Sequence, residues 1–298
     1  MKILIAGLVK NIQVERLREE GKKRGHEVDG CYDSSLVLKC SQDEFSPVMA
    51  DGKDLSSYDL IYLMAGKRRW EWYTACYFLA KKYGTTIVNQ KTISIDYNYF
   101  LTPAIDYLRQ TEKGLDYPMS ALVFNEKGAK EVINEFSYPV IVKTSAGRQG
   151  RGVHLCQSFD DVVGAIEETH ASGVESVVIR EFVPNDGDIR VFCVGYRAIG
   201  AMKRTPTREG EFRSNISQGG KGEKFDINNY PDIQELAENA ARVTRTEIAG
   251  VDVIINKETQ KPYILEVNPS PQFEGLEKFT KVNAAEEIIK YFENVSQK

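Results

Sequence analysis

Apolar residues along this chain fall into short runs alternating with helical spacings. Ile3 to Ala6 is an apolar run of strand length, Ile12, Val14 and Leu17 recur at helical intervals before Gly25, and a second strand centres on Val28. This β-α-β opening continues as a strand over Tyr58 to Met64, a helix over Trp72 to Lys82 and a strand over Thr86 to Asn89. Gly7 is the only glycine at the first turn, so the dinucleotide fingerprint is absent. Thr102 and Pro103 supply an N-cap and a first-turn proline for a helix through Ile105 and Leu108. From Ala121 the order becomes strand (to Phe124), helix (Ala129 to Glu135), strand (Val140 to Lys143), glycine-rich loop, strand (Val153 to Cys156), helix (Phe159 to Thr169) and strand (to Val183). A hairpin bending at Gly195, a helix from Pro231 through Ile233, Leu236, Ala240 and Val243, a second hairpin and a last helix over Ala284 to Phe292 follow. The pattern predicts a fold that is α/β first and α+β after, with units at 1–95, 96–180 and 181–298.

The second hairpin, G-V-D-V-I-I-N-K-E-T-Q-K-P-Y-I-L-E-V-N-P-S from Gly250 to Ser270, carries the chemistry. Pairing symmetric about Thr259 sets Asp252 opposite Glu266 and Ile254 opposite Ile264, with Asn268 on the same face. Like charges opposite each other destabilise a sheet, and a cation between them resolves the conflict. Two carboxylates and an amide oxygen suit Mg²⁺ or Mn²⁺ and do not suit zinc, with water or phosphate completing the shell. A solvated hairpin end whose acids happen to alternate is the plainer alternative.

Other segments weigh against that alternative. The loop T-S-A-G-R-Q-G-R-G, with Gly147, Gly150 and Gly152, joins two strands and so is neither a P-loop nor a Rossmann turn. It reads either as a mobile hairpin or as a backbone cover for phosphates, and Lys143 at the end of the preceding apolar strand favours the second. In E-F-V-P-N-D-G-D-I-R, Glu181 ends a strand where an adenine could bond backbone groups, Asp188 is free for ribose hydroxyls, and Arg190 shares its face. Lys203 and Arg204 close the following hairpin, and E-F-R-S-N-I-S-Q-G-G forms a polar cradle for an anion. Lys67, Arg68 and Arg69 stand at a strand-to-helix edge, equally suited to holding an anion and to being a solvated basic loop.

A net charge of −4 argues against a general nucleic-acid binder. No apolar stretch reaches membrane-spanning length. The five cysteines are odd in number and scattered without a C-x-x-C pair, which reads as reduced thiols in a cytoplasmic protein.

Lys143 with its glycine hairpin, E-F-V-P-N-D-G-D-I-R, M-K-R, F-R-S-N and A-G-V-D-V-I-I with L-E-V-N-P-S-P together resemble the ATP-grasp superfamily. The last segments are most similar to the RimK-type glutamate ligases. The resemblance covers Ser120 to Phe279 well and the first unit only by its α/β pattern, where it implies a Rossmann-like pre-ATP-grasp domain. It implies that Asp252, Glu266 and Asn268 bind two Mg²⁺ ions, with Mn²⁺ as a substitute. It further implies that Lys143, Gly147, Gly150, Glu181, Phe182, Val183, Asp188, Arg213, Ser214 and Asn215 bind ATP. Arg190, Lys203, Arg204 and Arg213 would surround the phosphates and acyl group. Near Ser94 to Phe100, where the family carries a second ATP lysine, this chain has Tyr97 or Asn98. The activity implied is ATP-dependent joining of a carboxylate, from a protein or peptide C-terminus or a small acid, to an amino-acid amine, by a protein that forms dimers or tetramers. A small-molecule kinase and a non-catalytic nucleotide-binding module are the competing readings.

Overall fold

The computed structural model describes residues 1–7, 12–64, 70–94, 103–145, 152–206 and 221–296. β1 (Lys2–Gly7) is buried from Ile3 onward and lies inside a parallel sheet between β2 (Glu27–Tyr32) and β5 (Leu60–Leu63), with β6 (Thr86–Val88) beyond β5. Parallel neighbours need crossovers, which α1 (Ile12–Lys23) and α2 (Trp70–Tyr83) supply. Between β2 and β5 the chain adds an antiparallel hairpin, β3 (Leu36–Cys40) with β4 (Phe45–Met49), that the hydrophobic pattern does not predict. Its first strand is half-buried to exposed throughout, so it shows no clear alternation of inside and outside residues.

Both faces of a parallel sheet must be covered. Leu4 and Ala6 pack with Trp72, Cys76 and Leu79 of α2, whereas Ile3 and Ile5 pack with Val14 and Leu17 of α1 and with Ile288, Ile289 and Phe292. These last three belong to α8 (Ala284–Ser296), so the final helix completes the first sheet. Polar clamps fix it there. Arg24 donates through Nε and Nη2 to Glu293 at 2.9 and 2.6 Å, and His26 Nε2 lies 2.7 Å from the same carboxylate. Arg16 reaches Glu277 at 3.1 Å, on the short α7 (Glu274–Thr280), and Asn283 at 3.0 Å.

The central sheet is antiparallel in the order β7 (Ser120–Val123), β10 (Val177–Glu181), β8 (Val140–Thr144), β9 (Val153–Cys156). Val140, Val142, Val177 and Ile179 face a core shared with α4 (Glu126–Val132) and α5 (Phe159–Ala171). Strand alternation therefore turns Lys143 and Arg180 to the opposite face. α3 (Pro103–Glu112) precedes this sheet.

The third sheet runs β13 (Lys221–Phe225), β12 (Arg197–Thr205), β11 (Asp188–Val194), β14 (Ile248–Ile255), β15 (Pro262–Asn268), all antiparallel. Ile189, Val191, Val251 and Val253 pack against α6 (Pro231–Val243) through Ile233, Ala237, Ala240 and Ala241. Gly195 and Tyr196, both at positive φ (58° and 65°), form the two-residue turn that sets the β11–β12 register. β13 reads K-G-E-K-F, a lysine-bearing edge strand without an apolar face, which explains why the pattern does not reveal it. The five cysteines are unpaired. Among the described residues no helix is long and apolar enough to cross a membrane.

The Glu293 clamp makes a pH prediction. Hydrogen bonds from Arg24 and His26 hold its carboxyl down from an ordinary 4.5 to about 2. A carboxylate depressed by folding stabilises the native state above its unfolded pKa, and the contribution disappears as pH falls toward the folded value. Glu293→Gln should lower Tm at pH 7, and the gap from wild type should close between about pH 4.5 and 2. A gap that stays constant across that range would rule the clamp out.

Candidate active site

Asp252 and Glu266 are directly paired across β14 and β15. The symmetric hairpin does not persist beyond them. The register shifts between Asp252 and Val253, so Val253 faces Ile264 and Ile254 faces Tyr263. Ile254 therefore does not lie opposite Ile264, and Leu265 is the extra residue of a β-bulge. Ile264 and Val267 confirm it: both pack toward α6, although residues three apart in a regular strand point to opposite faces. The bulge puts Glu266 on the Asp252 face; continuing the Val253–Ile264 register would have set Glu266 opposite Val251, toward the α6 core.

On that face, Asp252 is 4 % exposed and holds two arginines. Arg190 donates Nε and Nη2 to its two oxygens, each at 2.7 Å, and Arg204 Nη2 lies 2.8 Å from Oδ2. Arg204 also forks onto Asp188, at 2.5 and 2.7 Å. β11 and β12 dictate this: Asp188 pairs with Arg204, and Arg190 with Asp252 across β14. Two carboxylates and two guanidiniums thus form a buried network whose charges sum to zero. Burial would raise the Asp252 pKa, but Arg190 and Arg204 outweigh it and hold the carboxyl at about 2. Burial and the Asp252 charge push Asp188 up to about 6 against the pull of Arg204. Both Asp188 oxygens are engaged by Arg204, so any ribose hydroxyl would have to share them.

Glu266 stands outside this balance. Its side chain is 54 % exposed, and Arg190 Nη2 approaches it only to 3.9 Å. The cation between the two acids is therefore a guanidinium bound mainly to Asp252. A carboxylate offers about four lone-pair directions, of which Asp252 has three occupied, leaving one. The Asn268 side-chain oxygen accepts from Ser270 N–H at 2.9 Å and has a second lone pair. Among the described residues no group of three or more His, Cys, Asp or Glu could hold a metal unaided. The set is all oxygen and incomplete, which fits Mg²⁺ sharing its shell with water and phosphate.

Lys143 is on the face of the central sheet opposite its helices, within electrostatic reach of Glu266 and Asp252. Burial pushes its ammonium down to about 7, the Arg180 guanidinium adds to this, and the charges of Glu266 and Asp252 oppose it. Glu181 is exposed, accepts from Met119 N–H at 3.2 Å and donates its own N–H to Met119 O at 2.9 Å. Phe182 and Val183 start the segment leading to β11, and the Val183 carbonyl accepts from Asn185. Lys203 pairs with Ile189, on the face opposite Arg204. Gly147, Gly150, Arg213, Ser214 and Asn215 lie outside the described residues, as do Tyr97, Asn98 and Lys67 to Arg69. A further residue, not singled out from the sequence, is Arg180, which is 4 % exposed and donates to the Leu265 carbonyl beside Glu266. An arginine within V-V-I-R-E was the available signal. Removing one partner of a buried ion network leaves uncompensated charge. Arg204→Met should therefore cost roughly 3–5 kcal/mol in chemical denaturation, and adding Asp188→Leu should recover part of the loss. A double variant no more stable than the single one would contradict the charge balance.

Comparison with known proteins places this geometry. Residues 104–292 match the model of the RimK-like ATP-grasp domain. A protein of Trichodesmium erythraeum named "Probable alpha-L-glutamate ligase" is 30% identical over 98% of this chain and 96% of its own. One of the same name from Marinomonas sp. is 31% identical over 94% and 91%. Among solved structures, the ATP-grasp ligase PsnB complexed with minimal precursor superposes with a TM-score of 0.72 at 18% identity, covering 99% of each chain. The RimK domain protein ATP-grasp from Sphaerobacter thermophilus gives 0.71 at 19%, covering 98% and 99%. The fold is that of the ATP-grasp proteins, and the chain belongs to the RimK-like family of ATP-grasp ligases.

Proposed function

We propose that this ligase joins the carboxylate of a peptide or protein C-terminus, or of a small acid, to the amine of an amino acid, with glutamate favoured. The observation that carries the reading is the pair Asp252 and Glu266 on one face of the bulged hairpin, with Lys143 of the central sheet within electrostatic reach of both. The curated relatives' name supports glutamate, and PsnB, solved with its precursor, supports a peptide.

In this reading a substrate carboxylate oxygen bonds to the γ-phosphorus of ATP as the bond to ADP breaks. The amine nitrogen then bonds to the acyl carbon, loses a proton, and phosphate departs. Such chemistry needs positioning and charge neutralisation more than a nucleophilic side chain. Mg²⁺ held by Asp252, Glu266 and Asn268 would neutralise phosphate charge. Lys143 contacts the phosphates, and their negative charge favours its protonated form. Arg190 and Arg204, kept at fixed angles by Asp252 and Asp188, present guanidinium edges to the transferred phosphoryl and acyl oxygens. The backbone at Glu181, Phe182 and Val183 receives the adenine edge. Gly147, Gly150, Arg213, Ser214 and Asn215 take the phosphate-covering and anion-holding parts that the family resemblance implies, whereas Lys203, on the opposite face of β12, takes no part at the phosphates.

Incubating the purified protein with ATP, Mg²⁺, single amino acids and candidate acids, and weighing the products, tests this. The expected result is phosphate and ADP only when acid and amine are both present, with a mass gain of one residue less water. ADP with a phosphorylated product and no free phosphate would make the protein a kinase. Glu266→Gln should reduce turnover at least 100-fold while leaving Tm near that of wild type, because it removes a ligand charge at nearly constant volume. Full activity in that variant would remove the metal assignment.

A further inference from the structure

The bulge that turns Glu266 toward Asp252 has a guard. Arg180, on β10 of the central sheet, sends each nitrogen of its guanidinium to a different segment. Nε donates to Ser120 Oγ on β7 at 3.1 Å, Nη2 to the Tyr107 hydroxyl on α3 at 2.6 Å, and Nη1 to the Leu265 carbonyl at 3.0 Å. Its Cζ also sits 5.7 Å from the centre of the Tyr107 ring, which stacks at 5.4 Å on Tyr117. The third acceptor is the informative one. Leu265 is the extra residue of the bulge, the position a ladder leaves out, and it directly precedes Glu266.

We propose that Arg180 is a positioning residue for Glu266: its hydrogen bond to the Leu265 carbonyl holds the bulge that puts Glu266 on the Asp252 face. This role rests on the reading of Glu266 as a metal ligand. A simple brace between the sheets could have used any exposed carbonyl, whereas this one fixes the residue on which the parity of the strand depends. The fork matters because only a planar guanidinium directs three donors into three segments at fixed angles. Lysine retains the charge and loses that geometry. Partners behind a metal ligand commonly set metal affinity by about 10- to 100-fold.

Two variants separate positioning from bracing. Arg180→Lys removes the fork, and Tyr107→Phe leaves Arg180 in place but deletes its 2.6 Å acceptor. One measurement is amide hydrogen exchange of the 262–268 segment in the metal-free protein. The other is the Mg²⁺ concentration giving half the Tm rise induced by ADP. Arg180→Lys should speed exchange in 262–268 beyond any global change and raise half-saturating Mg²⁺ by about 10-fold or more. Tyr107→Phe should shift both readings the same way by about 3-fold. A lower Tm with wild-type Mg²⁺ dependence and evenly raised exchange would make Arg180 a brace and overturn the proposal. If Arg180→Lys does not fold, Tyr107→Phe decides by the same two readings. Glu266→Gln, measured alongside, identifies which idea has failed. Loss of its Mg²⁺ response beside an unaltered Arg180→Lys removes the Arg180 role alone. A wild-type Mg²⁺ response in Glu266→Gln, or no ADP-dependent rise in wild type, removes the metal or nucleotide reading and the Arg180 role with it.

Discussion

Ionised groups withdrawn from water must balance, and the third sheet is built around one such balance. Asp188, Arg204, Asp252 and Arg190 neutralise one another on a single face. Each is placed by strand pairing, so the backbone ladder of β11, β12 and β14 sets the electrostatics. Pre-orientation follows, because a guanidinium gripped by a carboxylate cannot swing toward an incoming anion and must meet it at one angle. Gly187 shows how tightly the surroundings are drawn in. It stands at φ 103°, where a Cβ would come within 2.1 Å of the Arg204 carbonyl oxygen. No other residue type fits beside the network at that point.

Glu266 is left out of that balance. The neutral floor gives it no strong partner, and its charge reaches Lys143 on the central sheet. An anionic ligand bearing its own cation complements such a surface, since neither charge alone would be matched. The bulge makes this arrangement possible, and its extra carbonyl is answered from the other sheet by Arg180.

How much of this could be read in the residues follows from the range of the interactions. The opposition of Asp252 and Glu266 is local: the hairpin is short and its symmetry about Thr259 shows in the letters. The bulge beside them is not, because the packing of Ile264 and Val267 against α6 decides it. The shared face of Asp188 and Arg190 was readable by alternation, but the capture of Asp188 by Arg204 depends on the register set by Gly195 and Tyr196. β3 and β13 escaped notice for want of apolar contrast. The last helix over Ala284 to Phe292 is legible in the letters, but not that it packs on β1.

The seating of α8 on β1 affects how the protein is made. Ile3, Ile5, Val14 and Leu17 leave the ribosome nearly three hundred residues before synthesis delivers Ile288, Ile289 and Phe292. Until then the first sheet has an uncovered apolar flank, so its maturation waits on the far end of the chain. A nascent chain in that state is a natural client for chaperones that bind exposed apolar surface.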